Sequence, residues 1–91
     1  MYNITNYSKQ QAKKLNVSIK PSENKNKKID VFKGDVLVAS IGAKNYKDYP
    51  TYINEKGLAY ANERRQLYKA RHNKDRKIKG SNGWYSDRIL W

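Results

Sequence analysis

KIDVFKGDVLVASIG, residues 28–42, decides the fold. Ile29 and Val31 alternate with polar neighbours, and Val36 to Ile41 form a second apolar, β-branched run. Gly34 stands between the two runs, the pattern of a β-hairpin with a short turn. Upstream, Val17 and Ile19 alternate with Ser18 and Lys20, which reads as a third strand. The expected unit is a small antiparallel three-stranded sheet over residues 16–42. Its first connection, PSENKNKK (21–28), is the only low-complexity stretch, and it has nothing to bury. A mobile basic loop is expected there.

Outward from the sheet the pattern turns helical. SKQQAKKLN (8–16) holds good helix formers after a serine, so residues 1–15 read as a short helical or flexible arm. Residues 43–57 read as a Tyr-rich loop carrying Tyr46 and Tyr49. Pro50 opens a short helical piece in it, and Gly57 closes that piece. LAYANERRQLYKARHN (58–73) is the main helix. Tyr60, Ala61, Leu67 and Tyr68 recur at helical spacing and are expected to face the core. Arg65, Lys69, His72 and Arg76 follow at steps of four, three and four, an outward basic row. A basic, glycine-containing linker (74–83) leads to the tail WYSDRILW (84–91). Large aromatics bury about 150–250 Å² each, so this tail should seal the core. The fold class is therefore α+β: a three-stranded sheet, one main helix packed on it, and a C-terminal helical tail.

Ninety-one residues suffice for a single domain. Their hydrophobic share is 37%, below the roughly 45–50% of ordinary domains. Lys and Arg number 20 against 8 Asp and Glu, a net charge of +12. Such an excess repels itself in the compact state and points to a polyanionic partner. The charge is not even. Residues 1–28 carry seven Lys and one Glu, the middle to residue 53 balances three Lys against three Asp, and residues 54–91 carry ten Lys and Arg against four acids.

Cysteine is absent, which removes disulfides, thiol nucleophiles and cysteine zinc sites. No apolar run approaches the roughly 20 residues of a membrane span, and the start lacks a signal-peptide core. The single histidine, His72, lies in KARHNKDR between cations. Asp30, Asp35 and Asp48 keep no metal-loop spacing, and no phosphate-loop or zinc-protease motif occurs. The expectation is a protein without catalytic residues, metal, cofactor or small-molecule substrate.

What remains is a basic surface. Arg64, Arg65, Lys69, Arg71, Lys74, Arg76, Lys77 and Lys79 fall within sixteen residues that hold one acid, Asp75. Charges of one sign cannot cancel by i,i+4 pairing. Arginine is also the better fork for phosphate. With His72 on the helix and Lys25, Lys27 and Lys28 from the loop, these are the candidate nucleic-acid contacts.

From residue 40 onward the chain resembles a family of small basic proteins encoded by large DNA viruses, including the giant viruses of algae and amoebae. The motifs, as they stand here, are Ile41-Gly42, Tyr46, Asp48-Tyr49, Arg65 to Tyr68, Arg71-His72, Gly83-Trp84-Tyr85 and Leu90-Trp91. KPSENKNKKIDVFKGD is similar to the hairpin that precedes them, so the resemblance covers about residues 16–91. In shorter relatives the stretch between DY and RH is reduced, which makes residues 51–58 an elaboration. The resemblance implies a viral, non-enzymatic, virion-associated protein, found in host cytoplasm or nucleus during infection. It supplies no catalytic residues. The expected function is nucleic-acid binding without sequence preference, double-stranded DNA foremost. The alternative is a minor capsid or cement protein seated on acidic capsid surfaces, with no membrane partner in either case.

Overall fold

The computed structural model describes residues 2–91. Its elements run α1 (Asn6–Lys14), β1 (Ser18–Pro21), β2 (Lys27–Lys33), β3 (Val36–Ala43), α2 (Tyr49–Lys56), α3 (Leu58–Arg71), a 3-10 turn (Asp75–Lys77) and α4 (Asn82–Ile89). The strands form one open antiparallel sheet in the order β1-β2-β3. The fold is α+β with a C-terminal helix.

The central hairpin forms as its pattern dictates. Lys33 pairs with Val36 across Gly34 and Asp35, and Gly34 takes φ +62°, a left-handed value that glycine adopts at least cost. Ile29 sits opposite Ile41 and Val31 opposite Ala39, and all four are buried. Ile19 pairs with Val31 from the other side and extends the same apolar face.

The connection between β1 and β2 is tighter than its composition suggests. Lys27 and Lys28 belong to β2, which leaves a five-residue turn, Ser22 to Asn26. Ser22 Oγ accepts from the Asn24 amide and Asn24 Oδ1 accepts from the Asn26 amide, so short polar side chains replace the missing strand partners. Ser22 Oγ also donates to Asp30 at 2.6 Å, and Ser40 donates to the same oxygen at 2.7 Å. The turn is tied to the sheet by its own serine.

The N-terminal arm is tied down as well. Thr5 caps α1, three residues before the serine that reads as its start. Ser8 is buried inside the helix and donates to the Ile89 carbonyl of α4 at 2.9 Å. Gln11 donates to the Arg88 carbonyl. The serine that reads as a cap is a crosslink between the two ends of the chain.

The tail closes the core. Ile89 and Leu90 are fully buried, and Trp91 stacks on Tyr68 with ring centroids 4.3 Å apart and planes 7° from parallel. Trp84 is only partly buried, packed against the core's edge with the Arg88 guanidinium 4.2 Å over its ring. It is not the interior residue that the tail's composition suggests.

The main helix is turned differently from expectation. Ala61 and Tyr68 enter the core, but Tyr60 and Leu67 stay 41% and 48% exposed. α3 lies along α2, with Tyr52 and Tyr60 edge to face and Tyr49 donating to Asn62. On this orientation the inward stripe is Ala61 and Tyr68 with the half-buried Arg65, and of the expected set Tyr60, Ala61, Leu67 and Tyr68 only Ala61 and Tyr68 are buried. Arg65 can join a buried stripe because its guanidinium stacks on the Tyr49 ring at 4.3 Å and its Nε donates to the Trp91 carbonyl at 2.6 Å. Aromatic faces and a chain-end carbonyl satisfy what an aliphatic core could not.

Candidate nucleic-acid interface

The rotation of α3 redistributes every cation proposed from sequence. Arg65 is committed to Tyr49 and Trp91. Lys69 donates to Asp87 of α4 at 2.8 Å. Lys28 is buried, its Nζ 3.1 Å from Asp48 Oδ2 and 5.4 Å from the Tyr2 ring. Arg76 is half-buried; its Nε has no acceptor among the described residues, and its backbone carbonyl accepts from Arg88. The first three cations serve the fold. The expected outward row Arg65, Lys69, His72, Arg76 is thus half-buried along its length, with Arg65 and Lys69 engaged inside the fold.

The neighbouring stripe of α3 takes its place. Arg64, Tyr68, Arg71 and His72 form one wall of a cleft of about 590 Å³. The end of the sheet lines it too, with Lys27 and Lys28 at the start of β2 and Ser40 to Ala43 of β3. So do Tyr46 and Lys47 on the loop before α2, Asn82 and Gly83 in the first turn of α4, and Leu90 and Trp91 after it. A one-residue step on a helix is about 100°. That single step separates the expected row from the one that lines the cleft.

Electrostatically the cleft is positive. Two carboxylates line it, Asp48 and Asp75. Asp48 is neutralised by Lys28 and accepts also from Tyr2 Oη at 2.7 Å and from Thr51 Oγ1 and the Thr51 amide. Burial opposes its charge, but the Thr51 and Tyr2 hydroxyls and the Lys28 ammonium outweigh burial and hold its pKa below the ordinary value. The same cluster, led by burial, pushes the Tyr2 phenol well up. Asp48 is therefore a buried structural anion, the cap of α2, and not a charge that cancels a ligand-facing cation. Asp75 is exposed and lies 3.6 Å from His72 Nδ1.

Lys47 is paired with Glu55 in the open, a weak pair in water. Lys27, Arg64 and Arg71 have no carboxylate partner among the described residues. Arg64 Nε is buried with no acceptor in the protein, while its guanidinium lies 5.5 Å from the Tyr52 ring. Lys25 on the hairpin turn and Lys74, Lys77 and Lys79 after α3 are exposed. So the structure places Lys27, Arg64, Arg71 and His72 together in one cleft and leaves Lys25, Lys74, Lys77 and Lys79 around the surface.

Tyr46, which its loop position offers as a residue able to meet a ligand, does line the cleft; no sequence signal marks its neighbour Lys47 there, because the loop meets α3 only in three dimensions. It also missed Asp48 as the partner of Lys28, twenty positions apart. Among the described residues no three His, Asp or Glu side chains gather as a metal site. No described helix is long and apolar enough to cross a membrane. Comparison with protein-family models, with curated proteins and with solved structures finds no match for this chain.

Proposed function

We propose that this chain is a small virion-associated protein that binds nucleic acid through its phosphates, without sequence preference, and that the cleft between the sheet end and α3 is its principal contact. The observation that carries the reading is the cleft's unbalanced charge: Lys27, Arg64 and Arg71 line it without carboxylate partners among the described residues, and of its two carboxylates Asp48 is spent on Lys28, which leaves the exposed Asp75. Arg64 and Arg71 lie seven residues apart, about 10 Å along α3 at 1.5 Å per residue. A duplex presents one charge per roughly 1.7 Å, so the pair spans several phosphates without selecting a base. Tyr46, 73% exposed, offers a ring to an unstacked base but no hydrogen-bond code. The viral and virion assignment rests on the resemblance of residues 16–91.

The test is the salt dependence of duplex binding. Changing Lys27, Arg64 and Arg71 to Gln together should lower the log–log salt slope by about 0.9 per lost contact, or about 2.7 in all. Lys25→Gln, on the hairpin turn, should move it far less. An unchanged slope in the triple variant removes the cleft as the interface.

The capsid reading draws on a different observation. Leu58, Tyr60 and Leu67 are exposed on α3, apolar area that a shell protein could cover. Tyr60→Ser with Leu67→Ser should then abolish capsid capture that persists at about 200 mM salt, where phosphate contacts weaken steeply.

A further inference from the structure

A second concavity, of about 390 Å³, lies on the other side of α4. Lys14 from the end of α1, Lys33 from the end of β2 and Lys79 from the loop before α4 converge on it, around Trp84 and Tyr85. No carboxylate lines it, and none of the three lysines has an ion-pair partner among the described residues. Three ammonium groups drawn together from three elements repel one another, and a polyanion relieves that repulsion. The rim is open at Gly80, where an added Cβ would meet nothing.

Helix α4 separates the two basic clefts. Asn82, Gly83 and Ser86 line the first, whereas Trp84 and Tyr85 line the second. At about 100° per residue these sets point to opposite sides of the helix. The geometry points to a second polyanion site at Lys14, Lys33 and Lys79, so that one molecule ties two nucleic-acid segments together. This rests on the nucleic-acid reading of the first cleft and extends it from binding to bridging.

The occupant is nucleic acid because the two sites share one chemistry: cations in excess of acids around an aromatic-lined hollow. Bridging also gives Lys14, in the strongly basic N-terminal third, a role that the first cleft leaves unused. A site of three phosphate contacts loses about 40-fold in affinity between about 50 and about 200 mM salt. The first cleft, with its own three contacts, loses as much, so bridging, which needs both sites filled, should fall more steeply with salt than binding of a single duplex.

The experiment uses the full chain, one short duplex on beads and a second, fluorescent duplex in solution. Sedimentation of the free protein, with dimers separated out, keeps co-capture by a single molecule distinct from co-capture by pairs. Wild-type protein should carry the fluorescent duplex to the beads. K14Q/K33Q/K79Q should still bind one duplex, with the melting midpoint of the wild type, but lose co-capture by at least about tenfold. The Lys27, Arg64 and Arg71 triple variant should lose co-capture too. Co-capture unchanged in K14Q/K33Q/K79Q overturns the second site and leaves the first cleft standing. No duplex binding by the wild type at low salt overturns both. A parallel arm with a polyglutamate peptide decides the partner: if K14Q/K33Q/K79Q loses the peptide and keeps co-capture, the site serves an acidic protein and the proposal fails.

Discussion

Replacing Asp48 by alanine takes four hydrogen bonds from a carboxylate that is 1% exposed. The losses are of two kinds. The cap of α2 goes, at about 1 kcal/mol. Lys28, whose side chain is 6% exposed, keeps its charge and loses its one ion-pair partner among the described residues. Breaking one side of a buried pair costs about 3–5 kcal/mol, and a domain this size holds about 5–15 in total. At about 4–8 °C per kcal/mol, the ion-pair part alone lowers the melting midpoint by roughly 12–40 °C. Asp48→Asn keeps an oxygen for the Thr51 amide but no charge, and so isolates the ion-pair part. Lys28→Met with Asp48→Asn removes both charges and should recover much of the loss, because no uncompensated charge then stays buried; Lys28→Met alone completes the set. The four chains form a cycle, measured by urea unfolding with tryptophan fluorescence at constant slope. A coupling energy above about 2 kcal/mol is expected. If the double variant loses the sum of the singles, Lys28 and Asp48 do not hold the N-terminal segment, β2 and α2 together, and this account of the burial of Lys28 fails.

The pH dependence adds an independent reading of the same carboxylate. Burial raises the pKa of Asp48, and the Thr51 and Tyr2 hydroxyls with Lys28 more than reverse that, so the folded value lies below 3.8. Stability from such a group is present above the unfolded pKa and is lost as pH falls through the folded one. Wild-type stability should decline below about pH 4, and Asp48→Asn should flatten part of that decline. Asp30, lowered against its burial by the hydroxyls of Ser22 and Ser40, accounts for another part.

Trp91→Ala should cost about 3–5 kcal/mol through the lost stack on Tyr68, and deletion of 84–91, which also removes the fully buried Ile89 and Leu90, should unfold the chain; a truncated protein that keeps its melting midpoint refutes the sealing role of the tail. In the ultraviolet titration of the eight tyrosines, Tyr2, Tyr7 and Tyr68 should ionise late, since burial raises all three. Their neutral forms favour the fold below about pH 10, so stability should fall as pH rises above it, and Tyr2→Phe should remove a late step; eight equivalent phenols in the folded state would contradict the burial. Gly42→Ala should destabilise by about 1–3 kcal/mol more than Gly57→Ala. Both glycines have left-handed φ, but a Cβ at 42 would lie 2.7 Å from Leu90 Cδ1 and one at 57 meets nothing. Equal losses in urea unfolding would show that only backbone strain matters at the two sites.

The orientation of α3 separates what is local from what is not. Two stripes overlap on LAYANERRQLYKAR, one through Tyr60, Leu67 and Tyr68 and one through Ala61, Arg65 and Tyr68. Hydropathy favours the first. The second wins because Tyr49, Asp87 and the Trp91 carbonyl, supplied from elsewhere in the chain, accept the cations of that face. The pattern gives no sign of those acceptors, and a shift of one residue moves a basic row from open solvent to a half-buried face.

The hairpin around Gly34, the existence of the helices and the burial of the tail were determined by the sequence alone, because each rests on spacing between near neighbours or on the sheer apolar area of an aromatic end. Net charge and the absence of cysteine were equally direct. Which cations remain free was decided only by the tertiary structure. Lys27 and Lys28 are adjacent in β2, yet one lines the cleft without a carboxylate partner and the other is buried against Asp48. A charge is free or spent according to what lies within about 4 Å of it, and that distance is set by the folding of residues far apart in the chain.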